Sequence, residues 1–136
     1  SEFGPERTLL IVDDEPNIRQ ALARTLRREN YRILLAAGPA EAFEVLACQP
    51  VGVILSDQRM PDMSGVEFLH RVKHLYPRTV RLVLSGYTEL ESVTDAINRG
   101  AIYRFLTKPW EDDLLREHLR EAFRHYALGD GDESAG

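Results

Sequence analysis

A single cysteine, Cys48, among 136 residues excludes an internal disulfide and any site built from several thiolates. It fits a reducing compartment, and a cytoplasmic location is the expectation. No apolar run approaches the ~20 residues of a membrane span, because charges or breakers interrupt each one. The segment Ser1 to Arg7 has no apolar core, so no secretory leader is read there. Basic residues are outnumbered, with 17 Lys and Arg against 22 Asp and Glu, and the net charge of −5 lacks the basic footprint of a nucleic-acid binder. Arg19, Arg24, Arg27, Arg28 and Arg32 form a local exception, read as the solvated face of a helix. Neither a G-x-G-x-x-G loop nor a P-loop occurs, so nucleotide binding has no support. There is no internal repeat.

What remains is a regular alternation of short apolar runs with amphipathic stretches. Thr8 to Val12, Tyr31 to Ala36, Val51 to Ser56, Thr79 to Leu84 and Ile102 to Leu106 read as strands. Helices are expected at Pro16 to Glu29, Pro39 to Cys48, Ser64 to Leu75, from Thr88 to near Gly100, and Glu111 to Leu128. Ser64-x-x-Glu67 and Thr88-x-x-Glu91 both have the form of a capping box. Five β/α units with strands apolar on both faces predict an α/β fold, a doubly wound parallel sheet covered by helices on each side. Periodicity leaves the strand order open. Ser1-Glu2-Phe3-Gly4 has the look of a cloning scar, so residues 1–6 are set apart as an N-terminal extension. The domain is expected over 7–128, with 129–136 a disordered tail or the start of a linker to an output domain.

In such a sheet ligands bind beyond the carboxyl ends of the strands. The first strand ends in Asp13-Asp14, the third in Ser56-Asp57, the fourth in Ser85-Gly86 and the fifth in Thr107-Lys108-Pro109. Carboxylates gathered at one edge repel, and a hard divalent cation removes the conflict. Magnesium fits best, through one or two carboxylates, waters and a phosphate oxygen. A carboxylate beside it can attack phosphorus to give an aspartyl phosphate, with Lys108 and Ser85 compensating charge on the phosphoryl oxygens.

Asp13-Asp14, the run from Asp57 to Gly65 (Asp-Gln-Arg-Met-Pro-Asp-Met-Ser-Gly), Ser85-Gly86 and Lys108-Pro109 together resemble the signature of response-regulator receiver domains across residues 7 to 127. The resemblance implies the flavodoxin-like strand order 2-1-3-4-5 with five helices. It implies Asp57 as phosphoacceptor in two-component signalling. Mg²⁺ (or Mn²⁺) would be held by Asp13 through water and by Asp14, Asp57 and the backbone carbonyl of Arg59. Ser85 would be the switch hydroxyl, Lys108 the phosphate-binding lysine and Phe105 the aromatic switch residue, where Tyr is commoner. Lys108-Pro109 would be cis. Arg59 and Tyr87 would stand at the rim, flanking the path of a hydrolytic water. Expected partners are a sensor histidine kinase or phosphotransfer protein, a covalently linked output domain, and a second copy through the surface of helix four, strand five and helix five. The stretch from Arg99 to Trp110 looks most like receivers of NtrC-type activators or HD-type cyclic-di-GMP phosphodiesterases.

Other readings weigh less. Glu67, His70 and His74 have helical spacing for a metal, but two histidines without further fixed ligands are more often solvent-facing. His118 and His125 are read as surface or boundary residues, and Trp110 as a ring closing the rim. A magnesium phosphohydrolase with an aspartyl nucleophile needs a second acid two residues on, where this chain has Arg59. A docking-only degenerate receiver conflicts with the intact acidic set. The expectation is therefore a signalling switch that catalyses only its own phosphorylation and dephosphorylation, touching neither nucleic acid nor membrane.

Overall fold

In the computed structural model, strands and helices alternate: β1 (Thr8–Val12), α1 (Pro16–Thr25), β2 (Arg32–Ala36), α2 (Pro39–Cys48), β3 (Val53–Asp57), α3 (Gly65–Leu75), β4 (Val80–Ser85), α4 (Leu90–Asn98), β5 (Arg104–Thr107) and α5 (Asp112–Ala135). Residues 3–135 are described, with side chains through 129; Ser1, Glu2 and Gly136, parts of the expected scar and tail, lie outside the described residues. Every strand pair is parallel and the order is β2-β1-β3-β4-β5. That is the order the resemblance implied.

Alternation of side chains across each strand divides the core in two. Leu10, Val12, Ile54 and Val83 face one way and meet Ala42 and Leu46 of α2, Phe68, Leu69 and Val72 of α3, and Val93 and Ala96 of α4. Leu9, Ile11, Leu55, Leu82 and Leu84 face the other way, against Leu22 of α1 and Leu115, Leu119, Ala122 and Phe123 of α5. The central strands β1 and β3 are buried throughout, as a sheet covered on both faces requires. The winding direction reverses between β1 and β3. Register aligns Val12, Ser56, Val83 and Phe105 across the sheet, so the residues that follow emerge together at one edge.

Several boundaries differ from the sequence reading. Helix α1 stops at Thr25; Arg27–Glu29 is a 3₁₀ turn, and Asn30 at φ 62° ends it in the left-handed conformation that Asn tolerates. Ser64 caps α3 as expected, its hydroxyl accepting from the Glu67 amide at 3.2 Å. Thr88 does not cap α4. The chain leaves β4 through a 3₁₀ turn at Tyr87–Glu89, which places Thr88 inside the turn, and its hydroxyl donates to Glu89 Oε2 at 3.0 Å. Gly100 closes α4 at φ 76°. Ile102 is buried but precedes β5, because the amides of Ala101 and Ile102 both donate to Ala96 at the end of α4. Helix α5 continues to Ala135 where an irregular tail was expected from Gly129. No proline interrupts that segment, and glycine weakens a helix without removing its hydrogen bonds.

Gly65 begins α3 directly against the phosphoacceptor candidate. A Cβ there would lie 3.0 Å from the carbonyl carbon of Asp57 and nearer still to its oxygen. Gly65→Ala is expected to destabilise the fold by about 1–3 kcal/mol through overpacking. Gly129→Ala, which meets nothing within 4 Å in α5, is expected to stabilise by up to ~1 kcal/mol. Urea unfolding followed by far-UV circular dichroism measures both.

Candidate functional site

The carboxylates lie where the strand register sends them. Asp13 follows β1 with 1% of its surface exposed, and its amide still donates to Ala36 of the neighbouring strand. Its Oδ1 accepts from the Glu15 amide at 2.9 Å, and its carbonyl accepts from Arg19 at 2.7 Å. Asp14 is exposed beside it. Asp57 ends β3 and is 7% exposed. Ligand oxygens of Asp13, Asp14 and Asp57 all lie within 4.8 Å of one another, the only group of three or more such donors among the described residues. This is a hard-oxygen set with excess negative charge, and it fits a magnesium-like ion.

Lys108 crosses from the end of β5. Its Nζ lies 2.8 Å from Asp57 Oδ1 and 3.5 Å from Asp13 Oδ2. The Lys108 amide donates to the Ser85 carbonyl, and the Lys108-Pro109 peptide is cis, as expected. Burial pushes the Asp57 carboxyl up; the Lys108 hydrogen bond works against this, while the charges of Asp13 and Asp14 add to it, and the net direction is upward. Burial works to lower Lys108, but its hydrogen bond to Asp57 and the charges of Asp57 and Asp13 outweigh that and raise it. One ammonium thus faces three carboxylates.

Ser85 is buried at the tip of β4, its hydroxyl donating to the Gly86 carbonyl at 2.9 Å. A cavity of about 540 Å³ opens above Asp57, lined by Asp14, Glu15, Gln58, Arg59, Thr88, Glu89 and Lys108 among others. Arg59 and Tyr87 do not share it. Arg59 spans to Glu89, Nη2 to Oε1 at 2.7 Å. Tyr87 is 70% exposed and lines a separate groove with Phe105, Trp110 and His118. The 3₁₀ turn is the reason, since it directs Glu89 to one side and Tyr87 to the other. Phe105 is half-buried against the α2–α4 side of the core. Trp110 is also absent from the cavity, packing against the α1–α5 side with its Nε1 donating to Asp112.

His70 and His74 meet edge to face, exposed, while Glu67 pairs with Arg71. His118 contacts Arg104, and His125 stacks on Tyr103. Two residues escaped the sequence reading. Gln58, buried, donates its amide to Leu84 and accepts from the amides of Gly65 and Val66, which pins the loop after the phosphoacceptor candidate. Glu89 is the other. Neither carries a sequence signal beyond its place in a loop.

The profile of the family described as response regulator receiver domain matches residues 9–120. The chain is 43% identical over 129 residues to the hydrogenase transcriptional regulatory protein HoxA of Bradyrhizobium diazoefficiens, covering 95% of this chain and 26% of that protein. It spans about a quarter of the length of the first curated relatives it matches. Among solved structures, the signal receiver domain of an HD domain-containing protein from Pseudomonas fluorescens Pf-5 superposes with TM-score 0.87 at 33% identity, over 96% of each chain. The beryllofluoride-activated NtrC4 receiver domain dimer gives TM-score 0.81 at 32% identity, over 88% of this chain and 98% of that one.

The raised Asp57 carboxyl has a measurable consequence. A carboxyl raised on folding adds stability in acid that is lost as pH climbs through its folded value. Asp57→Asn is therefore expected to melt above wild type in chelator at pH 7. That gain should shrink as pH falls through the raised Asp57 value and be gone below the ordinary carboxylate range; differential scanning calorimetry across pH measures it.

Proposed function

The chain belongs to the response regulator receiver domain family, and on that premise we propose that Asp57 accepts a phosphoryl group from the phosphohistidine of a sensor kinase or phosphotransfer protein. The supporting observation is a buried carboxylate with an ammonium 2.8 Å away and two further carboxylates beside it. Asp13, Asp14, Asp57 and the carbonyl of Arg59 would hold Mg²⁺ or Mn²⁺, which when bound draws charge from the phosphoryl oxygens. An Asp57 oxygen forms a bond to phosphorus as the bond from phosphorus to the donor imidazole breaks, and the electron pair leaves with that nitrogen. Lys108, freed from Asp57 Oδ1, compensates the charge brought in. Ser85 turns its hydroxyl from Gly86 toward a phosphoryl oxygen, and Phe105 follows inward from its groove.

The response appears on the face of α4, β5 and α5, through which we propose that two copies pair; the NtrC4 receiver is described as a dimer. By likeness to HoxA, a transcriptional regulatory protein, the covalently linked output is proposed to be transcriptional, with the end of α5 leading toward it. The domain itself is proposed to act in the cytoplasm without touching DNA. Among the described residues no helix is long and apolar enough to cross a membrane. The reading is of a switch rather than a phosphohydrolase, because Arg59 stands where a foreign leaving group would need an acid.

Acetyl phosphate with Mg²⁺ is expected to shift wild type, but not Asp57→Asn, on a phosphate-affinity gel, and chelator should abolish the shift. Undiminished labelling of the variant, or steady turnover of p-nitrophenyl phosphate, would overturn the reading. Sedimentation of the labelled protein is expected to show dimers; unchanged mass would remove the pairing face.

A further inference from the structure

The Arg59–Glu89 ion pair joins two loops that no other side-chain interaction described in the structure links directly. Arg59 lies two residues after Asp57, in the loop entering α3, and Glu89 ends the 3₁₀ turn that leads into α4. The guanidinium is 81% exposed and the carboxylate 19%. Glu89 is fixed on its other oxygen, where Oε2 accepts from Thr88 Oγ1 at 3.0 Å and the backbone of Gly86 passes close by. Among the described residues Arg59 has no second partner of this kind. The pair is thus an anion held on both oxygens with an exposed cation.

Both residues line the cavity above Asp57. That cavity carries carboxylates from Asp14, Glu15, Asp57 and Glu89 against two cations, Arg59 and Lys108. A phosphoryl group on Asp57 adds further negative charge where Lys108 is already engaged. Arg59 is the remaining cation within the same cavity, on a stem long enough to turn. An ion pair whose cation is exposed, as Arg59 is here, shifts an equilibrium by about fivefold. Guanidinium–phosphate hydrogen bonds, charge-assisted and bidentate, are stronger than that. The phosphoryl group is therefore a competitor for Arg59.

We propose that Arg59 is the second cation of the phosphoryl pocket, parked on Glu89 at rest and transferred to the phosphoryl group when Asp57 is modified. The proposal rests on the phosphoacceptor reading of Asp57. Its consequence is a direct link from chemistry to shape. Losing Arg59 releases Glu89, and with it the Tyr87–Glu89 turn at the entrance to α4. Because the coupling is reciprocal, weakening the pair must also favour the phosphorylated state. Glu89 is then a positioning residue, acting through Arg59 alone.

The test is a double-mutant cycle on beryllofluoride affinity in Mg²⁺, using wild type, Arg59→Ala, Glu89→Gln and the double variant. Arg59→Ala is expected to weaken binding several-fold, and Glu89→Gln to tighten it two- to fivefold. In the Arg59→Ala background, Glu89→Gln should change nothing. Amide exchange at residues 87–90 supplies an independent readout: beryllofluoride on wild type, and Arg59→Ala alone, should both speed it. Equal tightening by Glu89→Gln with and without Arg59 would overturn the proposal, since Glu89 would then act by its own charge. So would unchanged affinity in all variants, or unchanged exchange. If wild type binds beryllofluoride with these outcomes absent, only the transfer fails; if wild type does not bind it, the phosphoacceptor reading falls and the transfer with it.

Discussion

Three carboxylates gathered at one edge of a parallel sheet, faced by a single ammonium, make up the constraint on which this structure turns. Like charges within 4.8 Å repel, and burial of Asp13 and Asp57 removes the water that would screen them. Lys108 relieves part of the conflict by reaching both buried groups. The remainder is an excess of negative charge that a bound cation can relieve, so the site is poised by its own electrostatics. A neutral amide at position 57 would give a quieter fold and an idle one.

The fold produces this arrangement through register. Parallel pairing brings β1, β3, β4 and β5 to a common edge, and the reversal of winding between β1 and β3 leaves that edge open between helices of opposite faces. The close approach of Gly65 to Asp57, and the three hydrogen bonds that fix Gln58, hold the following loop tightly against Asp57. The 3₁₀ turn after β4 is joined to the other side of the cavity by Arg59–Glu89, the contact that the proposed transfer to a new anion would break. Rigid on one wall and releasable on the other, the cavity is suited to report a change of charge as a change of shape.

Most of the arrangement at the sheet edge was legible in the sequence, because Asp13, Asp57, Ser85 and Lys108 each lie within two residues of an apolar run. Asp13, Asp57, Ser85 and Lys108 needed only the inference of a parallel sheet to be brought together. The helix-capping patterns show where such reading stops. Ser64-x-x-Glu67 and Thr88-x-x-Glu91 look alike, yet only Ser64 caps a helix. How the chain leaves β4 decides the outcome at Thr88, and that is set by tertiary packing. The directions of Tyr87, Glu89 and Trp110 were hidden for the same reason: they sit in turns without periodicity, where a single residue changes which side a side chain faces. At Gly129, where a disordered tail or the start of a linker was expected, α5 runs on to Ala135, because composition speaks to the stability of a segment and not to whether an existing helix continues into it.

Reductive trapping tests the central claim most directly. Borohydride converts an aspartyl phosphate to homoserine, releasing phosphate and leaving a permanent mark at the residue that carried it. Protein treated with acetyl phosphate and Mg²⁺, reduced, and read by tandem mass spectrometry is expected to carry homoserine at position 57 alone, and none after chelation. Homoserine at 13 or 14, or at no position, would contradict the account.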